Sequence, residues 1–140
     1  MSKFSWPIRV YHEDVDIMKI VYYANYLRFY ERARTEHLRA VGFDQSDLMK
    51  NSGVMFVVKT VMLDYQQPAR LNNMLLVTSE TTSFRRSSFL FEQKIYRDNE
   101  QGICLNKATV TIVCVDTVSL KPCPIPEVIL QKLNVEEEKF

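Results

Sequence analysis

One segment of this chain, residues 22–41, has helical periodicity, and residues 54–115 are almost entirely strand-like. At 100° per residue, the mostly apolar side chains of residues 22–41 fall within one arc. The opposite arc contains Arg28, Glu31, Arg32, Thr35, Glu36 and Arg39. The apolar arc contains Tyr26, Phe29, Tyr30, Ala33, His37, Ala40 and Val41. A helix of about five turns, ended by Gly42, must bury that arc, and the strands supply the surface for it.

Five segments have the composition of strands, with β-branched and aromatic residues in alternation. They are Phe4–Tyr11, Val54–Tyr65, Met74–Phe84, Ser88–Arg97 and Ile103–Val115. Turn-forming residues separate them, and short helices are predicted at Asp44–Lys50 and after Pro126. In the last strand Ala108, Val110, Ile112 and Cys114 share one face. The pattern predicts an α+β fold in which an antiparallel sheet packs on one long helix.

Composition limits the class of protein. The chain has 140 residues, 46% of them hydrophobic, and a formal net charge of +1, which predicts one folded domain over residues 1–140. Neither nucleic acid nor a membrane surface is expected as a partner, since no net basic charge would attract them. Apolar stretches are strand-sized, so no transmembrane segment is predicted. With three glycines, phosphate-binding loops rich in glycine are absent.

Three cysteines, Cys104, Cys114 and Cys123, show no metal-ligand spacing. An odd number is typical of free thiols in a reducing compartment, and the first residues lack a signal peptide, so we expect a cytoplasmic protein. The two histidines, His12 and His37, have no partners spaced for a triad or a metal site. His37 lies on the apolar arc and is expected in the core. No metal and no redox cofactor are predicted.

The segment HEDVDIMKIVYYANY could carry chemistry. It places Glu13, Asp14 and Asp16 just before a helix that begins near Tyr22 or Tyr23. The free N–H groups and the dipole of a helix start polarise a carbonyl oxygen, and a nearby carboxylate acts as nucleophile or general base. These parts suit hydrolysis of an activated acyl group. The alternative is that Asp14 or Asp16 only caps the helix.

A second cluster, Arg85-Arg86-Ser87-Ser88, falls at a turn between two strands. Paired guanidinium groups and hydroxyls bind phosphates, as a nucleotide-bearing thioester requires. The alternative is a solvated polar turn without a ligand.

Three separated stretches resemble hotdog-fold acyl-CoA thioesterases of the 4-hydroxybenzoyl-CoA thioesterase class, most closely the YbgC-type branch. They are VYHEDVDIMKIVYYANYLRFYERARTEHL, DYQQPARLNNML and VCVDTVSLKPCPIP. The resemblance runs from about Phe4 to Leu133. It implies the hotdog fold, an antiparallel five-stranded sheet wrapped around one long central helix. It also implies hydrolysis of a short- or medium-chain acyl-CoA, or an aromatic one, to the free acid and coenzyme A.

The resemblance also implies roles for particular residues. Asp16 falls on the catalytic carboxylate of the family, and Tyr23 on the position whose backbone N–H polarises the thioester carbonyl. Arg85, Arg86 and Ser88 match a turn that contacts the phosphates of coenzyme A in some members. Coenzyme A would enter as part of the substrate, with no other cofactor. Family members form dimers or tetramers with the active site at a subunit boundary, and this branch suggests a homotetramer of two dimers.

One position departs from the family pattern D-x-x-G-x-V. Lys19 stands where the family has glycine. If the backbone there needs a positive φ, lysine costs about 1 kcal/mol or more. Lys19 also brings a cation near Asp16, or could contact the phosphates of the substrate. We expect catalysis to survive, at a rate that could be low.

Two other functions fit the same sequence. A hotdog protein whose site is reshaped by Lys19 would bind acyl-CoA or acyl carrier protein without releasing a thiol. A structural oligomer at the cytoplasmic side of an envelope complex would show neither binding nor turnover.

Overall fold

The structure of the chain, a computed structural model, describes residues 3–134 and 136–137. Its strands are β1 (Lys3–Arg9), β2 (Val54–Tyr65), β3 (Met74–Phe84), β4 (Ser88–Arg97), β5 (Cys104–Asp116) and β6 (Glu136–Glu137). Its helices are α1 (Tyr26–Ala40), α2 (Gln45–Ser52) and α3 (Glu127–Leu133), with 3₁₀ turns at His12–Asp14 and Tyr23–Asn25. The five predicted strands are confirmed, those of β2, β3 and β4 with the same bounds.

The strands form one sheet in the order β1-β3-β4-β5-β2, with antiparallel neighbours throughout. Pro7 lies in β1, an edge strand, where a missing N–H costs least. The sequence did not predict β6, a two-residue strand that pairs parallel with β3 near Phe84. The hotdog prediction of five antiparallel strands is therefore confirmed, with one short strand added.

The longest helix, α1, packs on one face of this sheet. Tyr26, Phe29, Tyr30 and Ala33 are fully buried, as their arc predicted. Ala40, on the same predicted arc at the end of the helix, is exposed, so burial of the arc stops before the last turn. On β5 the buried side chains are Ala108, Val110, Ile112 and Cys114, the face that the sequence predicted. These two apolar surfaces belong to one hydrophobic core, whose burial stabilises the fold.

Polar contacts fix how α1 crosses the sheet. The Tyr30 hydroxyl donates to Asn106 Oδ1 of β5 (2.7 Å), and Arg34 Nη1 donates to Gln93 Oε1 of β4 (3.0 Å). Further along the helix, His37 Nδ1 lies 3.1 Å from Ser79 Oγ of β3. Buried polar groups need hydrogen-bond partners, and these three pairs form together only when α1 has one rotation about its axis relative to β5, β4 and β3. The core position of His37 is confirmed, and burial lowers its pKa to about 4.

The ends of the helices agree with the sequence except at one point. The predicted helix start at Tyr22 or Tyr23 is a tight 3₁₀ turn, Tyr23–Asn25, that leads directly into α1. Gly42 follows the end of α1 with φ 99°. Of the two candidate caps of α2, Asp44 and Ser46, the structure selects Asp44, whose Oδ1 accepts the N–H groups of Ser46 (2.9 Å) and Asp47 (3.3 Å).

Candidate active site

Asp16 lies in a small hairpin before α1. Val15 bridges to Val21, the Asp16 N–H donates to the Ile20 carbonyl (3.0 Å), and the Lys19 N–H donates to the Asp16 carbonyl (3.0 Å). Lys19 has φ 63°, the left-handed conformation of the closing residue in such a three-residue loop. The position where the resemblance led us to expect glycine therefore has a positive φ, and lysine is strained there.

The Asp16 carboxylate is half-buried and held at one oxygen. Its Oδ1 accepts the Met18 N–H at 2.8 Å, and among the residues that the structure describes nothing hydrogen-bonds to Oδ2. Lys19 is exposed and makes no ion pair with Asp16 in the described part of the chain. One carboxylate oxygen is thus positioned by the turn and the other is available for a reactant.

Asp14 has a different environment. It is buried, its Oδ2 accepts the Tyr11 N–H (2.8 Å), and its carbonyl accepts both the Tyr22 N–H (3.0 Å) and Asn25 Nδ2 (2.9 Å). These bonds close the first 3₁₀ turn and tie it to the segment that enters α1. In the described structure no side chain caps the helical segment that begins at Tyr23, so the capping alternative is wrong for that helix. Asp14 instead holds the earlier 3₁₀ turn, and Asp16 accepts only from its own turn.

The start of the helical segment exposes a backbone donor. The Tyr23 N–H finds no acceptor among residues 3–134, whereas the preceding Tyr22 N–H is bonded to Asp14. The Tyr23 carbonyl accepts the Tyr65 hydroxyl at 2.9 Å. A free N–H at the positive end of a helix suits an oxygen that gains negative charge.

A groove of about 310 Å³ lies at this helix start. It is lined by Ile20, Val21, Tyr23, Tyr26, Tyr65, Gln66, Gln67 and Pro68. Asp16 does not line the groove, but its N–H is bonded to the carbonyl of Ile20, which does. Its volume and aromatic walls are those of a small-ligand site. Sequence analysis did not single out Tyr65, although it lies in the DYQQPA stretch.

The predicted basic turn joins β3 to β4. Within it the Arg85 N–H donates to the Ser88 carbonyl (2.7 Å). Two further backbone bonds fix the turn to the rest of the fold: the Cys114 N–H donates to the Ser87 carbonyl (2.7 Å), and the Ile125 N–H donates to the Arg86 carbonyl (3.0 Å). Beside it lies a groove of about 280 Å³. The lining residues are Lys59, Ser83, Phe84, Arg85, Ser88, Phe89, Leu90 and Thr111. Arg86 and Lys19 do not line it.

One chain does not bring all the predicted site residues together. The Asp16 hairpin is bridged through Ile20 to Arg70, close to the Met74 end of β3, whereas the basic turn follows the Phe84 end. An 11-residue strand spans about 30 Å or more at about 3.3 Å per residue. Asp16 and Tyr23 therefore lie at one end of the sheet, and Arg85 and Ser88 at the other.

The described residues contain no group of three histidine, cysteine or acidic side chains placed to hold a metal ion. The three cysteines are free thiols. Among residues 3–134 no helix is long and apolar enough to cross a membrane.

Comparison with known proteins identifies relatives over nearly the whole chain. Residues 10–133 match the family model of the thioesterase-like superfamily. The acyl-CoA thioester hydrolase YbgC of Escherichia coli O6:H1 is 46% identical, covering 94% of this chain and 96% of that protein. The acyl-CoA thioesterase YbgC of Haemophilus influenzae is 44% identical over 89% of each chain.

A solved structure supports the fold. The 1,4-dihydroxy-2-naphthoyl-CoA thioesterase from Synechocystis superposes with a TM-score of 0.87, covering 95% of this chain and 96% of that one. At 20% sequence identity this likeness concerns the fold alone.

Proposed function

Because this chain belongs to the thioesterase-like superfamily and is an acyl-CoA thioesterase of the hotdog fold, we propose that Asp16 and the backbone N–H of Tyr23 carry out its reaction. The observation that supports this assignment most directly is their shared surroundings. Asp16 keeps one carboxylate oxygen without a hydrogen bond in the described part of the chain, and Tyr23 keeps a free N–H. Tyr23 lines the groove, and the Asp16 N–H is bonded to Ile20, which also lines it.

In the proposed reaction the thioester carbonyl oxygen accepts the Tyr23 N–H. Asp16 either attacks the carbonyl carbon or takes a proton from an attacking water, and the two routes give the same products. Water is consumed, the C–S bond breaks, and a carboxylic acid and coenzyme A are released. The thiol leaving group has a pKa of about 8.5, so it departs as thiolate without a strong general acid.

The acyl group would occupy the groove at the helix start. Its walls are mostly apolar and include three tyrosines, Tyr23, Tyr26 and Tyr65. A volume of about 310 Å³ suits a short or medium aliphatic chain, and the aromatic walls also suit an aromatic acyl group.

A complete site requires a second copy of the chain in this proposal. The phosphates of the substrate would bind near Arg85, Arg86 and Ser88, about 30 Å along β3 from Asp16 of the same chain. The outer strand β2 supports assembly, because it is 12 residues long and exposes Val57, Val58, Val61 and Met62. A homodimer, or a homotetramer of two dimers, would join the two halves.

A mixing experiment tests the shared site. Asp16→Asn and Arg85→Ala would each impair activity at physiological substrate concentration. When the two variants are unfolded together and refolded, a mixed dimer contains one site with both native residues. Recovery of activity above that of either variant supports a composite site. Activity that stays at the sum of the two separate variants would place all site residues within one chain.

We further infer one cytoplasmic domain over residues 1–140, supported by the free thiols and by the extent of the family match. Coenzyme A enters as part of the substrate, and an acyl carrier protein could present the same thioester. Neither nucleic acid nor a membrane is a proposed partner.

Thiol release from a panel of acyl-CoAs, with wild-type protein beside Asp16→Asn, tests the assignment of Asp16. We expect turnover that depends on the acyl group and is lost in the variant, while acyl-CoA binding persists. Near-normal turnover by pure Asp16→Asn protein would overturn the role of Asp16. Binding without thiol release by the wild type would favour the non-catalytic acyl-CoA or acyl-carrier-protein binding function.

A further inference from the structure

Two grooves of equal size lie on the face of the sheet turned away from α1, and they differ in charge. Each has a volume of about 280 Å³. One is lined by two acids, Asp64 and Glu92, and two cations, Lys94 and Lys107. Among the lining residues that the structure describes, the other has two cations, Lys59 and Arg85, and no acid. Of these two described linings, the second has the net positive charge that attracts an anion.

The second groove also contains hydroxyl groups. Ser83, Ser88 and Thr111 line it together with Lys59 and Arg85. These residues come from β2, β5, the end of β3, the start of β4 and the turn between them, so the fold gathers them from separate parts of the sequence. Cationic N–H donors beside hydroxyl donors are the groups that bind phosphate oxygens.

A β-bulge sets the position of Lys59 in this groove. Val58 pairs with Ile112 and Thr60 pairs with Thr111, so Lys59 is the extra residue where the register shifts. A bulge re-aims side chains and often lies next to a functional site. Here it leaves Lys59 beside Thr111 and within the groove of Arg85.

We propose that Lys59, together with Arg85, binds a phosphate group of the coenzyme A nucleotide. This inference rests on the proposed function and adds to it a residue that sequence analysis did not identify. Lys59 lines this groove, whereas Arg86, which lies in the basic turn, does not. The ligand class is a phosphate ester, either the monoester on the ribose or the diphosphate that joins it to pantetheine.

A lysine on an edge strand has another use, since its charge discourages pairing with other chains. That use depends on charge alone and predicts a change in assembly or solubility when the charge is removed. Phosphate binding instead predicts a change in the KM of substrates that carry the nucleotide.

The test compares Lys59→Met with Lys94→Met, whose lysine lines the groove that also contains acids. Both are assayed with an acyl-CoA and with the same acyl group on pantetheine, which lacks the nucleotide. For Lys59→Met we expect the KM of acyl-CoA to rise about tenfold at unchanged kcat. Its KM for acyl-pantetheine, and both constants of Lys94→Met, should stay at wild-type values. Lys59→Arg should restore most of the affinity.

Acyl-dephospho-CoA identifies the phosphate. If the penalty of Lys59→Met disappears with this substrate, Lys59 binds the ribose phosphate; if the penalty remains, it binds the diphosphate. An unchanged KM for acyl-CoA, or an equal rise with acyl-pantetheine, would overturn the inference. Because wild-type turnover of acyl-pantetheine is measured in the same series, failure of the inference is distinct from failure of the proposed chemistry.

Discussion

The phenolic O–H of Tyr65, the last residue of β2, donates a hydrogen bond to the carbonyl oxygen of Tyr23 at 2.9 Å. Tyr23 begins the 3₁₀ turn that leads into α1. On the other side of that turn the Tyr26 hydroxyl accepts the Ala69 N–H at 3.0 Å. The helix start that carries the proposed donor is therefore anchored to β2 and to the segment after it. Such anchoring keeps a donor oriented during reaction.

We predict that Tyr65→Phe lowers kcat about fivefold. The substitution removes one hydrogen bond, worth about 1 kcal/mol, and loosens the segment that carries the Tyr23 N–H. Steady-state kinetics with an acyl-CoA would measure the kcat of Tyr65→Phe. The control is Tyr11→Phe, which removes the hydroxyl of a tyrosine exposed on the surface. A kcat equal to that of the control would show that the bond does not position the site.

Substitutions of Asp16 and Asp14 should affect different properties, the first kcat and the second stability. Asp16→Asn keeps an acceptor for the Met18 N–H and should leave stability nearly unchanged, but lower kcat about 100-fold or more because the carboxylate is lost. Asp14→Ala removes the acceptor of the Tyr11 N–H and should lower the free energy of unfolding by about 1–2 kcal/mol. Urea unfolding measures the stability of both variants, and thiol-release assays measure their kcat. Reversed effects would exchange the two roles.

Lys19→Gly should stabilise the protein by about 1 kcal/mol, because glycine adopts φ 63° without a Cβ clash. Lys19→Ala is the matched variant, since it removes the same charge but retains the Cβ. The melting temperature should therefore be higher for Lys19→Gly than for Lys19→Ala. Kinetics of the two variants show what the ammonium group does, since a change common to both comes from the lost charge. Equal melting temperatures would mean that the loop carries no strain.

Stability should fall as pH drops from 7 to 5 because of His37. Its folded pKa is about 4, lowered by burial, against about 6.5 in an unfolded chain. Between these values the unfolded chain binds a proton that the folded chain does not, so acid favours unfolding, by about 2 kcal/mol at pH 5. Urea unfolding at pH 7, 6 and 5 measures this slope. His37→Gln should have a shallower slope, and an equal slope in both proteins would assign the effect to other groups.

The sequence was sufficient to predict the five long strands and the main helix, and it supplied the segment to which we assign the chemistry. Strand alternation and helical periodicity are local properties, so the bounds of β2, β3 and β4 and the buried arc of α1 could be predicted from neighbouring residues. The same segment analysis identified Asp16 and Tyr23 as candidates and Lys19 as a position that could need a positive φ.

Tertiary structure decided which residues meet. Lys59 and Arg85 share a groove because β2, β5 and β4 are neighbours in the sheet and a bulge shifts the register at Lys59. Asp16 and Arg85 lie at opposite ends of β3, although both belong to the predicted site. Spacing along the sequence does not contain strand order, register or the position of a bulge, because these depend on long-range pairing that forms only when the whole sheet closes on α1.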